Sequence, residues 1–136
     1  MEARICVDTS ILIGYFRNRP IETEAFEKAL KSAECCVTSV VTYELLLGVA
    51  RRGTSIGESE ALQELPCISF GRPEAEQASA LHAELIRRNA DIGPKDVMIA
   101  ATCIVNNLSL LTANARHFQR IPQLQVIAAE EFITTP

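Results

Sequence analysis

Five short runs rich in β-branched residues, leucine and cysteine recur along the chain: RICVD (4–8), ECCVT (34–38), PCISF (66–70), LSLLT (108–112) and LQVIA (124–128). Longer stretches with helical spacing of apolar residues separate them. This alternation predicts strands at the five runs. It predicts helices over 9–17, 21–33, 39–52, 57–65, 73–90 and 94–107, and a short turn near 114–119. Pro20, Pro73 and Pro94 stand where helices would start, and Gly53 and Gly71 fall between segments. Strands joined by helical crossovers form a parallel sheet with both faces covered, because the crossovers are right-handed and bury each strand twice. The near-continuous apolar character of the strand runs fits that burial. The expected fold class is α/β, a three-layer sandwich, in a single domain over residues 1–136.

Ligands of such sheets collect at the carboxyl ends of the strands. Asp8, Thr38 and Thr112 each end a strand run. Asp8 sits between an apolar strand and the apolar segment SILIGYF. A buried ionised carboxylate is costly unless it is paired or metal-bound, so Asp8 either caps the helix behind it or meets a cation. Glu44, in SVVTYELLLGVARR (39–52), has Val40, Val41, Leu47 and Gly48 three and four positions away, which places it in an apolar ridge of the helix. Asp96 falls in the first turn after Pro94, where the helix dipole alone favours a carboxylate by about 0.3–1 kcal/mol. The rest of that helix, Val97 to Val105, is apolar on nearly every side and reads as buried and central. Asn114 suits the N-cap of the turn behind Thr112, and His117 reads as a surface or packing residue. Together, Asp8, Glu44, Asp96 and Thr112 can converge on one cavity. Crowded carboxylates repel unless protonated or bridged by a cation, and oxygen-only ligands suit a hard ion, Mg2+ or Mn2+.

Composition removes several function classes. With 48% apolar and 22% charged residues, the chain is not disordered. Its apolar stretches fall short of the roughly 18 residues that suggest a membrane span. Glu2 and Asp8 interrupt any signal-peptide pattern, so a cytoplasmic protein with no membrane association is expected. The five cysteines, Cys6, Cys35, Cys36, Cys67 and Cys103, form no C-x-x-C pair and read as buried reduced thiols. Neither His82 nor His117 stands at zinc-ligand spacing to a cysteine. A net charge of −4 argues against gripping nucleic acid by bulk electrostatics. Arg51-Arg52 and Arg87-Arg88 read as solvated surface, while Arg116, His117 and Arg120 are the candidate phosphate contacts.

Four segments, in order, resemble the PIN domain, and specifically the VapC-type toxin ribonucleases of toxin–antitoxin modules. VDTSILI (7–13) resembles the family's opening strand with its aspartate, and TYELLLG (42–48) the helix carrying its glutamate. IGPKDVMIAA (92–101) is similar to the helix-start aspartate with its following apolar run, and LLTANARHFQRIPQLQVI (110–127) to the closing turn and strand. The resemblance implies a five-stranded parallel sheet and a homodimer. It also implies a small VapB-type antitoxin whose C-terminal segment lies over the site. Asp8, Glu44 and Asp96 would be the acidic residues centred on Mg2+ or Mn2+, and Thr112 would support a metal-bound water. Asn114 stands where the family often has aspartate, which weakens any second metal position. The implied reaction is cleavage of single-stranded or looped RNA to 5′-phosphate and 3′-hydroxyl ends. Two other readings compete. Phosphotransfer through an aspartate nucleophile wants a D-x-D motif, but Ser10 holds the second position, and a receiver domain's acidic pair is missing. A catalytically degenerate PIN-like binding module is the non-enzymatic alternative, and Asn114 supports it.

Overall fold

The computed structural model describes residues 3–136; Met1 and Glu2, the latter used above in reading the N-terminus, lie outside the described residues. Five strands form one sheet: β1 (Arg4–Val7), β2 (Glu34–Thr38), β3 (Cys67–Ile68), β4 (Ser109–Thr112) and β5 (Val126–Ala128). The order is β3-β2-β1-β4-β5, and every pairing is parallel. Eight helices accompany them among the described residues. They are α1 (Thr9–Phe16), α2 (Pro20–Ser32), α3 (Ser39–Arg52), α4 (Glu58–Glu64), α5 (Arg72–Arg87), α6 (Pro94–Val105), α7 (Ala115–Phe118) and α8 (Ala129–Thr134). The expected three-layer α/β architecture is what the chain adopts.

Burial explains why the central strands read as unbroken apolar runs. Cys6, Val7, Val37, Leu110 and Leu111 are fully buried, although side chains alternate between the two faces of the sheet. Helix α6 supplies Val97, Ile99, Ala100, Ala101 and Cys103 to the same core. Its all-round apolar sequence therefore matches a central helix. Central strand β1 pairs with β2, which follows it in the chain, and with β4, which comes much later. The connections leave in opposite directions at this point, and a crevice opens above the carboxyl ends of β1 and β4. Asp8 and Thr112 stand there.

Several expectations need correcting. Thr38 does not join the crevice; its hydroxyl oxygen accepts from Val41 N at 3.1 Å and caps α3. Strand β3 is two residues long rather than five, because it is an edge strand and Pro66 before it has no N–H to pair. Cys67 on that edge is exposed, unlike the other four cysteines. The ridge around Glu44 is not a core stripe: Tyr43, Leu46 and Leu47 of α3 are exposed, and only Val41 and Leu45 are buried. The chain closes with α8, a helix not expected from the pattern. It packs on α2, where Lys28 donates to the Phe132 and Thr135 carbonyls and its ammonium lies 4.5 Å from the Phe132 ring centroid.

Candidate active site

Asp8 occupies the N-cap position of α1, yet its side chain makes no capping bond. The capping explanation for a buried carboxylate at this place therefore fails. Asp8 is 5% exposed, and its Oδ2 accepts from Ser10 Oγ and Thr112 Oγ1, both at 2.8 Å. These donors are neutral hydroxyls. Burial raises the Asp8 pKa, the two hydroxyls and the Thr9 backbone N–H partly oppose that rise, and the nearby charge of Glu44 adds to it.

The chain immediately after Asp8 builds the rest of this shelf. Thr9 Oγ1 donates to Glu44 Oε1 at 2.7 Å, which ties α1 to α3 through the carboxylate. Ser10 Oγ accepts from Ala113 N at 3.1 Å, which fixes the turn after β4. The DTS triplet thus places Asp8 itself, then the glutamate, then the β4 turn. Sequence reasoning treated only its first residue as chemical. Thr9 and Ser10 are hydroxyl residues following an aspartate, a signal also given by any ordinary helix N-terminus.

Glu44 is half-buried and has a second partner, Lys95, whose Nζ lies 3.6 Å from Oε2. Asp96, the next residue of α6, faces His117: Nδ1 is 2.8 Å from Oδ2 but off the N–H direction, so the contact is not a linear hydrogen bond and is an ion pair only when the imidazole is protonated. Burial raises the Asp96 pKa, Asp8 and Glu44 raise it further by their charge, and His117 opposes them. The start of α6 is set by Asp91, whose Oδ1 accepts from Gly93 N at 2.9 Å and contacts His82 Nε2 at 2.8 Å. Gly93 then turns at φ +91°, a conformation open chiefly to glycine.

The structure therefore brings Asp8, Glu44, Asp96, Thr112 and His117 to one crevice. Mutual repulsion couples the three carboxylates, and their donor atoms are all oxygen, which fits a hard divalent ion. Among the described residues no three acidic, histidine or cysteine side chains close into a ready cage. An ion that keeps several waters and takes one or two carboxylates directly suits this open arrangement.

The expected contact of Thr112 with a metal-bound water is not what its bonds show. The residue is fully buried, with its proton directed to Asp8 and its oxygen accepting from Asn114 N at 2.9 Å. Thr112 orients Asp8. Asn114 is exposed at the N-cap of α7, and its side chain makes no capping bond, so capping does not account for it. Arg116 is exposed and lines a neighbouring cleft of about 320 Å3 with Thr112, Ala113, Glu22 and Glu130. Arg120 points elsewhere: it donates to the Asp91 carbonyl at 3.3 Å, while its own carbonyl accepts from Arg88 at 3.1 Å. It braces the loop that starts α6.

Comparison with known proteins decides the family. The family model described as "PIN domain" matches residues 5–124. The chain belongs to the PIN-domain family. Among its relatives, "Ribonuclease VapC" of Rickettsia bellii is 33% identical over 130 residues, which is 90% of this chain and 94% of the relative. The "tRNA(fMet)-specific endonuclease VapC" of Salmonella typhimurium is 27% identical, over 90% of this chain and 96% of the relative. In three dimensions this PIN-domain chain superposes on a chain of the Rickettsia felis VapBC2 complex bound to promoter DNA. The TM-score is 0.80 at 25% identity, covering 92% of this chain and 98% of that one. VapBC-1 of nontypeable Haemophilus influenzae shares the fold, with a TM-score of 0.79 at 21% identity over 93% and 98% of the two chains.

Proposed function

We propose that this PIN domain is a metal-dependent endoribonuclease of the VapC type, restrained by a small VapB-type antitoxin. The observation that carries this reading is the convergence of Asp8, Glu44 and Asp96, from three different elements, above the central strand of a chain in this family. The proposed substrate is single-stranded or looped RNA, cut to 5′-phosphate and 3′-hydroxyl ends. An acidic surface with 5% aromatic residues offers little for wrapping a duplex. The ion is Mg2+ or Mn2+, held by Asp8 and Asp96 with Glu44 beside them. Such an ion, when bound, neutralises phosphate charge and acidifies water at neutral pH.

The remaining roles belong to the chain's own residues. Ser10 and Thr112 hold the Asp8 carboxylate in one orientation, so that no side-chain rearrangement is needed when charge develops at the phosphate. Thr9 holds Glu44 with Oε2 turned toward the crevice mouth. His117 keeps Asp96 from rotating into solvent. Asn114, neutral and free of a capping bond, offers an amide to solvent or substrate at the same rim. The chain acts as a single domain in the cytoplasm and as a homodimer; no helix among the described residues is long and apolar enough to cross a membrane. Tyr43, Leu46 and Leu47 on the outer face of α3 supply apolar surface for a protein partner.

Cleavage of a fluorescent single-stranded RNA pool tests the reading. Cuts that need Mg2+ or Mn2+, stop with EDTA and vanish in Asp8→Asn are expected. Full activity in Asp8→Asn contradicts the assignment. A folded chain that binds no Mn2+ and cuts nothing returns the degenerate module to first place.

A further inference from the structure

We propose that Lys95 is a substrate-binding residue, contacting the phosphate at or next to the one cleaved. The inference rests on the ribonuclease reading above and adds to it a residue that sequence reasoning passed over. Lys95 directly precedes Asp96 in the first turn of α6, whose start is fixed by Asp91 and Gly93. Its side chain is 55% exposed, and its ammonium lies 3.6 Å from Glu44 Oε2, itself 20% exposed. It therefore reaches the mouth of the crevice from outside, on a flexible stem that a ligand can draw away from Glu44.

Charge balance says why a cation is needed at this position. With His117 neutral against Asp96, the three carboxylates of Asp8, Glu44 and Asp96 carry three negative charges when ionised, and one divalent ion cancels two. A phosphodiester approaching that remainder is repelled, in a chain whose net charge is already −4. The Lys95 ammonium removes the remainder and, being exposed, is the group a phosphate oxygen meets first. Of the arginines expected to do this work, Arg120 is turned to the Asp91 backbone and Arg116 lines the adjacent cleft. Lys95 alone among these three cations touches one of the carboxylates.

Binding of a 5′-fluorescein single-stranded RNA, measured by anisotropy across a salt series with Ca2+ replacing Mg2+, tests this directly. Lys95→Gln should weaken binding roughly fivefold and flatten the log–log salt slope by about 0.7, the value for one lost phosphate contact on a single strand. Lys95→Arg should restore both, and Lys31→Gln, an exposed cation on α2, should match the unsubstituted chain. An unchanged slope and affinity in Lys95→Gln overturns the proposal. So does a variant that binds Mn2+ more tightly in a thermal-shift titration while its RNA affinity stays the same, since Lys95 would then be only a counter-ion for Glu44. Cleavage in Mg2+ by the unsubstituted chain runs alongside. A silent chain overturns the ribonuclease reading and this one together, whereas an active chain with an unchanged salt slope overturns only Lys95.

Discussion

Asp8 and Glu58 are both buried carboxylates, 5% and 3% exposed, and the chain treats them in opposite ways. Glu58, at the start of α4, is answered from within. Arg52 makes a close ion pair with its Oε2, and Ile56 N donates to Oε1 at 2.8 Å. Burial pushes its pKa up, but the Ile56 amide and the Arg52 guanidinium outweigh it, and the net shift is downward. Asp8 receives two hydroxyls and the Thr9 amide but no cation, has carboxylate neighbours, and shifts upward. A buried acid that the fold completes is a structural joint. A buried acid that the fold holds in place but leaves electrically uncompensated is prepared for a cation from outside.

The largest effect that could break this contrast is on chemistry. Asp8→Asn and Asp96→Asn should each lower RNA cleavage by about 100-fold or more while leaving circular dichroism unchanged, since each removes one proposed metal ligand and keeps the shape. Arg52→Met should have no comparable effect on cleavage but should cost roughly 1–3 kcal/mol of stability, read by urea unfolding, because Glu58 is left buried without its cation. Thr9→Val sharpens the comparison at Glu44. Its loss frees Oε1, and cleavage should fall roughly tenfold, about 1.4 kcal/mol of barrier, with little change in melting temperature.

The smallest effect is a pH dependence of opposite sign at the two acids. A raised pKa means that native Asp8 holds its proton above the ordinary 3.8. Its contribution to stability is therefore present below 3.8 and lost as pH rises through the native value. In EDTA, Asp8→Asn should be more stable than the unsubstituted chain at pH 7.5, and the gap should shrink as pH falls through the raised native value of Asp8. Glu58 behaves conversely: its contribution is present above the ordinary 4.5 and is lost only as pH falls through its lowered native value. Melting temperatures of Glu58→Gln and the unsubstituted chain, followed from pH 7.5 to well below the ordinary 4.5, check that sign.

Much of this was legible from the residues because strand and helix periodicity survive in a sheet buried on both faces. Asp8, Glu44 and Asp96 stood out as acids among apolar neighbours, and β1, β4 and α6 carry two of them and Thr112 to the crevice. What stayed hidden depends on contacts between distant segments. Lys95 meets Glu44 across about fifty residues, and Thr9 meets it across 35. No local spacing encodes such pairs. Helix α8 escaped because six residues carry too few apolar positions for a periodicity, and it is held by packing on α2. The outward apolar face of α3 misled the reading of Glu44, because a helix shows the same ridge whether it meets a core or a partner.

Thermal unfolding of the unsubstituted chain and Asp8→Asn, each in EDTA and in saturating Mg2+ at pH 7.5, tests most directly whether Asp8 is held for a cation. The expected result is that the variant melts higher in EDTA, and that Mg2+ raises the melting temperature of the unsubstituted chain but not of the variant. A variant that melts lower in EDTA, beside an unsubstituted chain indifferent to Mg2+ and Mn2+, would make Asp8 a structural acid like Glu58 and contradict the account.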